Sequence, residues 1–239
     1  MTRKIVQLWS VREALKADFK GTIRRLKAMG YDGVEFAGDY GGMEMEALRA
    51  FLDEVGIEPV SAHVGVKHVE AFLPQAKALG LSYLVEPYHK LSTGEEVLAF
   101  ATELNRVGQL CTQAGIPFSY HNHDFEFEVV EGLTILETLM AHTDEQHVFF
   151  QLDAGWAVAA GIDVVSFIEK YPQRIKMLHL KENRPVASAA SEIPWQAIIE
   201  VAKGHGCEAV VVEREQFYAT DVFECLAADC TFVGSILPK

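Results

Sequence analysis

Short apolar runs rich in β-branched residues alternate with longer amphipathic segments along the whole chain of 239 residues. The short runs have the length of strands, and their nearly continuous apolar character is typical of parallel strands buried on both faces. The longer segments carry apolar residues at helical spacing. The runs occupy residues 5–9, 33–36, 58–63, 83–86, 116–120, 148–152, 175–180 and 209–212, and the helical segments occupy residues 19–29, 45–55, 69–79, 97–114, 133–140, 164–171, 195–205 and 222–236. The alternation predicts eight strand–helix units.

Glycine stands between five of the predicted helices and the strands that follow them, at Gly30, Gly56, Gly80, Gly115 and Gly206. Glycine suits the left-handed residue that closes a helix, because it has no Cβ to clash in that conformation. These joins therefore favour compact helix-to-strand units over long unstructured loops.

Two architectures contain repeated strand–helix units, a closed barrel and an open doubly wound sheet. The open sheet usually has a glycine-rich phosphate loop after its first strand. Here that strand is followed by Ser10-Val11-Arg12. Eight units in 239 residues also match the usual barrel size of about 250 residues. We therefore predict one domain over residues 1–239, a single (β/α)8 TIM barrel.

Composition and charge disfavour several classes of partner. No apolar stretch approaches the roughly 20 residues that span a bilayer, and the first residues lack the apolar run of a signal peptide. With 34 acidic and 21 basic side chains the net charge is −13, which disfavours binding to nucleic acid. The four cysteines form no CxxC pair and are expected to be buried thiols. We expect a cytoplasmic protein with no membrane or nucleic-acid partner; a homo-oligomer is compatible with the sequence.

Ionisable side chains concentrate where the predicted strands end. Along the chain these strand-end residues are Glu35, His63, Glu86, His121 with His123, Asp153, His179 and Glu213. The active sites of β/α barrels lie at the C-terminal ends of the strands. We therefore expect these side chains to meet in one site.

The ends of strands five to eight offer a histidine together with Asp153, His179 and Glu213. Taken singly, a strand-end aspartate is often a helix cap and a strand-end histidine is often a hydrogen-bonded core residue. The signal is that all four fall at equivalent positions of consecutive units. Mixed nitrogen and oxygen ligands suit a transition metal better than Ca²⁺. We predict one bound divalent cation, with Mn²⁺ expected and Mg²⁺, Co²⁺, Fe²⁺ or Zn²⁺ as alternatives.

Five segments resemble the xylose isomerase-like barrel superfamily of sugar isomerases and epimerases, which has inosose dehydratase-like relatives and an endonuclease branch. They are residues 33–36, 120–126, 153–156 with Gly161 beyond, 179–181 and 211–213. The resemblance covers nearly the whole chain. It implies one divalent metal held by a glutamate, an aspartate, a histidine and a second glutamate on strands five to eight. Asp153, His179 and Glu213 match the last three places.

The sequence departs from this pattern in two places. Many relatives have Glu-Asn-His at the end of strand five, where this chain has His121-Asn122-His123. The fourth ligand is therefore open: His121 matches by position, His123 shares its face by strand alternation, and Glu126 could curl back to supply a carboxylate. The second departure is residues 183–191, where relatives often carry a glycine-containing loop.

Further roles follow from position and from the resemblance. Similarity to the epimerases implies that Glu213 removes the substrate proton, with His123 or Glu126 as alternatives, and that Lys181 reaches a substrate oxygen. Trp9 and Trp156 are expected to flank the mouth, since an aromatic face suits the C–H face of a sugar. The expected catalytic residues are Glu213, His123 and Lys181, and the expected substrate-binding residues are Glu35, His63, Glu126, Trp9 and Trp156.

The expected activity is a metal-dependent isomerisation or epimerisation of a small, unphosphorylated ketose or keto-sugar. A metal that chelates a carbonyl and an adjacent hydroxyl stabilises an enediolate. Loss of a β-hydroxyl from the same intermediate makes the alternative a dehydratase or lyase that acts on an inosose or 3-keto-sugar, a reading that the histidine-rich fifth strand favours. An endonuclease would need several metals and a basic groove, which the acidic composition disfavours. A metal-binding barrel without catalytic activity is the third hypothesis.

Overall fold

The computed structural model describes residues 2–182, 191–215 and 221–237. The second departure from the family pattern, at residues 183–191, lies outside the described residues except for Ser191.

Eight parallel strands close into a barrel within the described residues, and they neighbour one another in chain order, with the eighth paired to the first. The strands are β1 (Arg3–Gln7), β2 (Gly33–Phe36), β3 (Glu58–His63), β4 (Tyr83–Glu86), β5 (Phe118–His121), β6 (Val148–Asp153), β7 (Ile175–Lys181) and β8 (Ala209–Glu213). This confirms the predicted (β/α)8 barrel.

Helices pack around the outside of the strands. They are α1 (Arg12–Ala17), α2 (Phe19–Met29), α3 (Met45–Val55), α4 (Val66–Leu79), α5 (Gly94–Ala114), α6 (Ile135–His142), α7 (Ala154–Ala159), α8 (Val164–Lys170), α9 (Trp195–Gly204) and α10 (Val222–Ile236). Gly30, Gly56, Gly80 and Gly115 each cap a helix in the left-handed conformation. Gly206 has positive φ one residue beyond the cap of α9. The glycine pattern thus marked real helix ends.

The first strand ends earlier than predicted. Residues Leu8–Val11 form a 3-10 turn rather than the end of β1. The side chain of Gln7 causes this, because its Oε1 accepts a hydrogen bond from the backbone N–H of Trp9 at 3.1 Å and so caps the turn. Placing Trp9 within the strand was therefore wrong, and its side chain is 45% exposed.

The inward face of the strands changes character from bottom to top. Near the bottom, Ile5, Val60, Tyr83, Met177 and Val211 belong to a buried apolar cluster. Because side chains alternate along a strand, the residues two positions further on point inward as well. On three strands these residues are polar: Gln7 follows Ile5, His179 follows Met177, and Glu213 follows Val211. The barrel therefore has an apolar floor and a polar top.

All four cysteines are buried, as predicted. Among the described helices, none combines the length and apolar character that a membrane crossing would require.

Gly155 allows α7 to approach the end of β7. A Cβ at this position would lie 1.9 Å from the backbone oxygen of Lys181 and 2.8 Å from its carbonyl carbon. Backbone atoms cannot move aside as the end of a flexible side chain can. This explains the glycine in Asp153-Ala154-Gly155-Trp156, the segment that begins α7.

We expect Gly155→Ala to lower the free energy of unfolding by about 1–3 kcal/mol, the usual cost of overpacking. Chemical denaturation measures the change. Gly204→Ala is the matched control, since a Cβ there meets nothing within 4 Å. Equal stability of the two variants would contradict this account of the motif.

Candidate active site

The four strand-end groups converge at the top of the barrel. One ligand atom each from His121, Asp153, His179 and Glu213 lies within 4.8 Å of the others, and all four residues are buried. We call these four residues the ligand cluster. Of the three alternatives for the fourth member, His121 belongs to this group and neither His123 nor Glu126 does, as far as the described residues show. Metal binding by the cluster remains a prediction.

The carboxylate of Asp153 fits a bound cation. Its Oδ1 accepts a hydrogen bond from the N–H of Trp156 at 2.9 Å. Its Oδ2 is buried, has no hydrogen-bond partner among the described residues, and lies 4.0 Å from Nε2 of His121. Burial raises the pKa of Asp153 to about 7, because the anion is costly without a partner. Together with the two imidazoles and the second carboxylate of the cluster, this oxygen completes a donor set that a divalent transition metal takes.

His179 lies between two carboxylates. Its Nε2 is 2.7 Å from Oε1 of Glu35, and its Nδ1 is 3.2 Å from Oε2 of Glu213. Burial lowers the pKa of His179, but the two carboxylates outweigh burial and raise it to about 10. Burial likewise raises the pKa of Glu213, but His179 and Lys181 outweigh it and lower that pKa to about 2. The carboxylates thus favour positive charge at this point, which a bound cation would also supply.

Glu35 lies beneath the ligand cluster with both carboxylate oxygens occupied. Its Oε1 is 2.7 Å from Nε2 of Gln7 and 2.7 Å from Nε2 of His179, and its Oε2 is 2.6 Å from Oγ of Ser61 and 2.6 Å from Nε2 of Gln151. Burial raises the pKa of Glu35, but His63 and His179 outweigh burial and hold it well below its usual range. The geometry does not support the predicted contact of Glu35 with a sugar and instead gives it a positioning role.

The network around Glu35 sets the tautomers of both imidazoles in the cluster. Nε2 of Gln151 donates to Glu35, so its Oε1 is an acceptor, and Nδ1 of His121 lies 2.9 Å from it. The Nδ1–H of His121 therefore donates to Gln151, which leaves the Nε2 lone pair facing Asp153. His179, whose pKa is about 10, carries a proton on each nitrogen near pH 7. When it is neutral, as a metal ligand must be, the proton on Nε2 stays with Glu35 and the Nδ1 lone pair faces Glu213. Outer hydrogen bonds of this kind orient metal ligands.

Sequence reasoning missed Gln151, although a signal was present. It stands two positions before Asp153 and therefore shares the inward face of β6. A buried amide in the otherwise apolar run from Val148 to Leu152 needs hydrogen-bond partners, and the partners here include His121 of the ligand cluster and the carboxylate of Glu35.

An open cleft of about 490 Å³ lies above the ligand cluster. We call it the reaction cleft. Among the predicted site residues it is lined by Trp9, His63, His121, His123, Lys181 and Glu213. The Nε2 of His63 also lies 3.0 Å from Oε1 of Gln151 and 3.1 Å from Oε1 of Glu35, so the network fixes this ring at the cleft wall.

Lys181 and His123 bring two different functional groups to the cleft. The Nζ of Lys181 lies 3.5 Å from Oε1 of Glu213 and 2.8 Å from Oε1 of Glu215. Burial lowers the pKa of Lys181, but the carboxylates outweigh it and raise the pKa, so the ammonium group is charged. Burial, aided by Lys181, lowers the pKa of His123 to about 4, so its imidazole is neutral near pH 7. Its buried Nδ1 has no partner within the described part of the chain.

Trp156 lies under Lys181 rather than at the mouth. The Nζ of Lys181 is 4.9 Å from the ring centroid of Trp156, and the His123 ring is 6.0 Å away. The indole therefore supports these two cleft residues. Trp9, in contrast, lines the cleft as expected.

Glu126 and Asn122 fix the segment after β5. Glu126 is buried and accepts hydrogen bonds from the Tyr120 hydroxyl at 2.6 Å and from the N–H of His123 at 2.7 Å. Burial raises its pKa to about 7. Oδ1 of Asn122 accepts from the N–H of Asp153 at 2.9 Å and ties β5 to β6. Glu126 is thus occupied in holding His123, and the geometry does not support it as a metal ligand or sugar contact.

Comparison with known proteins agrees with this geometry. The family model of the xylose isomerase-like TIM barrel matches residues 23–224. The chain belongs to this family. The resemblance seen in the sequence is thereby confirmed.

The individual proteins that this chain resembles include a sugar phosphate isomerase/epimerase and inosose dehydratases. A crystal structure described as a sugar phosphate isomerase/epimerase from Parabacteroides distasonis superimposes with a TM-score of 0.88 and 25% identity, over 98% of this chain and 94% of that one. An inosose dehydratase of Clostridium botulinum is 37% identical over 91 residues, which is 38% of this chain and 30% of that protein. An inosose dehydratase of Geobacillus kaustophilus is 26% identical over 191 residues, 68% of this chain and 61% of that protein. The matches span less than two thirds of these dehydratases.

We expect the purified protein to bind about one divalent ion per chain, as in mononuclear sites of this ligand type. Asp153→Ala should abolish binding, because the ion would lose Oδ2, the buried oxygen that has no hydrogen-bond partner among the described residues. Elemental analysis after dialysis, with Mn²⁺ titration by calorimetry, measures this. Asp163→Ala is the matched control, since Asp163 caps α8 as Asp153 caps α7 but lies outside the cluster. Full metal occupancy in Asp153→Ala would contradict the assignment of the ligand cluster as the metal site.

Gln151→Leu should weaken metal binding by about 10- to 100-fold, the usual effect of removing an outer hydrogen bond to a ligand. The His121 ring would lose the acceptor that fixes its tautomer. Ser61→Ala is the control, because it removes a hydrogen bond to Glu35 without touching an imidazole. Calorimetric Kd values for Mn²⁺ compare the variants. Unchanged affinity in Gln151→Leu would show that the network does not orient His121.

Proposed function

We propose that this protein is a divalent-metal-dependent enzyme that moves a proton next to the carbonyl of a keto-sugar or cyclitol, in an isomerisation or epimerisation. The observation that carries the proposal is the position of the ligand cluster, directly below a cleft that also contains Lys181 and His123. A structural histidine cluster would not require an open cleft with further acid and base groups above it.

The chain supplies separate groups for each part of this chemistry. A cation bound by the cluster would polarise the substrate carbonyl and acidify the neighbouring C–H. Glu213 belongs to the cluster and also lines the cleft, so its carboxylate is placed to accept a substrate proton. The ammonium group of Lys181 stabilises negative charge on a substrate oxygen. The imidazole of His123 offers a second proton-transfer group from the end of β5.

The lining of the cleft suits an unphosphorylated, polyhydroxylated ring. Trp9 and Tyr88 provide aromatic surface beside His63, His123 and Glu213, which exchange hydrogen bonds with hydroxyl groups. Among the described residues that line the cleft, Lys181 is the cationic one, and it already lies close to two carboxylates. A phosphate group would have to compete with both carboxylates for this ammonium.

Dehydration of an inosose or 3-keto-sugar is the second candidate. Two observations favour it: the names of the inosose dehydratase relatives, and the unpartnered imidazole of His123 in the cleft. The neutral imidazole of His123 can accept the C–H proton in place of Glu213 and then return that proton to the departing hydroxyl, so that water leaves.

Turnover in D₂O with Mn²⁺ and a panel of ketoses, 3-keto-sugars and inososes tests the proposal. Mass spectrometry of an isomerase or epimerase product should show the substrate mass with one C–H hydrogen replaced by deuterium. A dehydratase product should be lighter by one water. Protein that binds Mn²⁺ but gives neither C–H exchange nor product over the panel would overturn the enzymatic proposal in favour of a metal-binding barrel without catalysis.

Glu213→Gln should lower the rate of C–H exchange by about 10²-fold or more, in line with the loss of a general base. The amide keeps an oxygen donor for the metal while it removes basicity. NMR exchange rates measure the loss, and calorimetry with Mn²⁺ shows whether metal is retained. Glu215→Gln is the comparison, since Glu215 contacts Lys181 but lies outside the cluster, and its loss should be much smaller. Near-normal exchange in Glu213→Gln with bound metal would move the base to His123.

A further inference from the structure

A second cleft adjoins the reaction cleft. Its volume is about 540 Å³, and it shares Trp9, Ala37 and Gly38 with the reaction cleft. We call it the second cleft. Its own walls carry Arg12, Glu13, Lys16 and Asp39. A ligand that leaves the reaction cleft past Trp9 therefore enters a second space large enough for a small ligand of its own.

Trp9 is fixed at this boundary by the network beneath the ligand cluster. The Oε1 of Gln7 accepts a hydrogen bond from the N–H of Trp9, and the Nε2 of Gln7 donates to Glu35 at 2.7 Å. The Arg12 guanidinium lies 4.6 Å from the indole centroid and packs on the ring, yet 45% of Trp9 remains exposed. An exposed tryptophan held in place is a ready stacking surface for a sugar ring.

The charges of the second cleft are compensated within the cleft. The Nζ of Lys16 lies 2.9 Å from Oε1 of Glu13, and the Nε of Arg12 lies 4.0 Å from the same oxygen. The Oδ1 of Asp39 accepts a hydrogen bond from the N–H of Gly41 at 2.8 Å. A phosphate would need cations that are not already paired, and an apolar group would bury these charges without hydrogen bonds. Hydroxyl groups can donate to the carboxylates and accept from the cations.

We propose that the substrate is a glycoside whose carbonyl-bearing ring lies in the reaction cleft and whose second, neutral sugar ring lies beside Trp9 in the second cleft. The inference rests on the proposed function, since it assigns the carbonyl-bearing ring to the cleft above the ligand cluster. It adds that the protein recognises two linked rings rather than one.

Binding of two matched probes tests the inference. One probe is a 3-keto-hexopyranose as its methyl glycoside, and the other has the same 3-keto ring as the non-reducing ring of a disaccharide. Calorimetry on the Mn²⁺-supplied protein gives both Kd values. The disaccharide should bind at least about 10-fold more tightly, because its second ring would also contact Trp9. A factor of ten in Kd corresponds to about 1.4 kcal/mol.

Substitutions in the second cleft test whether the preference for the disaccharide arises there. Lys16→Trp places a large ring in the second cleft, and the ratio of the two Kd values should fall to about one to two. Comparing the ratio of the two Kd values between variants cancels any effect of a substitution that changes the binding of both probes equally. Glu13→Trp fills the same space and replaces Lys16→Trp if that variant folds poorly. Lys77→Trp puts the same side chain at an exposed position of α4, outside both clefts, and should keep the wild-type ratio of the two Kd values. Trp9→Ala should lower the ratio, and Trp9→Phe should restore most of it.

Four outcomes would overturn the inference: equal Kd values in the wild type, a preference that survives both Lys16→Trp and Trp9→Ala, tighter binding of a 6-phosphorylated methyl 3-ketoside than of the disaccharide, or no binding of either probe. The proposed function fails separately. A disaccharide preference without C–H exchange in D₂O would refute the chemistry and keep the second subsite. Exchange on the methyl glycoside with a ratio of one would keep the chemistry and refute the subsite.

Discussion

The buried carboxylate of Glu35 is the group on which the upper half of the barrel depends. It is removed from water inside the barrel and accepts hydrogen bonds from side chains on β1, β3, β6 and β7. An ionised carboxylate in such surroundings is tolerated only when its oxygens are fully paired. Four donors meet that requirement, and the two on β6 and β7 also tie β2 to strands that it does not neighbour in the barrel. The contact with His179 then links this hub directly to the ligand cluster.

Two consequences of this arrangement reach the proposed chemistry. Gln151 fixes which nitrogen of His121 carries a lone pair, and Glu35 fixes which nitrogen a neutral His179 would offer to a metal, so each ring has one favoured tautomer. Gln7 uses its amide nitrogen on Glu35 and its amide oxygen on the N–H of Trp9. The ligand cluster and the aromatic wall of the cleft are therefore positioned by one continuous network.

The resemblance implies a glutamate at the end of the fifth strand, where this chain has His121. An imidazole at His121 in place of a carboxylate lowers the negative charge of the ligand cluster. Burial and the neighbouring histidines His179 and His63 hold the pKa of His121 well below its usual range, which keeps the imidazole neutral. The Gln151 amide, which donates to one neighbour and accepts from another, matches this neutral ring better than a second carboxylate would. In the proposed chemistry the acid and base roles in the cleft accordingly belong to Glu213, Lys181 and His123.

The sequence by itself determined the barrel, most element ends and the convergence of Asp153, His179 and Glu213, because strand alternation and helix-closing glycines are local patterns. It also placed Trp9 next to the site, although it assigned that residue to a strand. Only the tertiary structure decided that His121 rather than His123 or Glu126 completes the cluster, and that Glu35 lies below the cleft. Glu35 meets His179 across 144 residues and Gln151 across 116. Contacts over such separations depend on barrel closure and on competition for hydrogen-bond donors, neither of which has a local pattern in the chain.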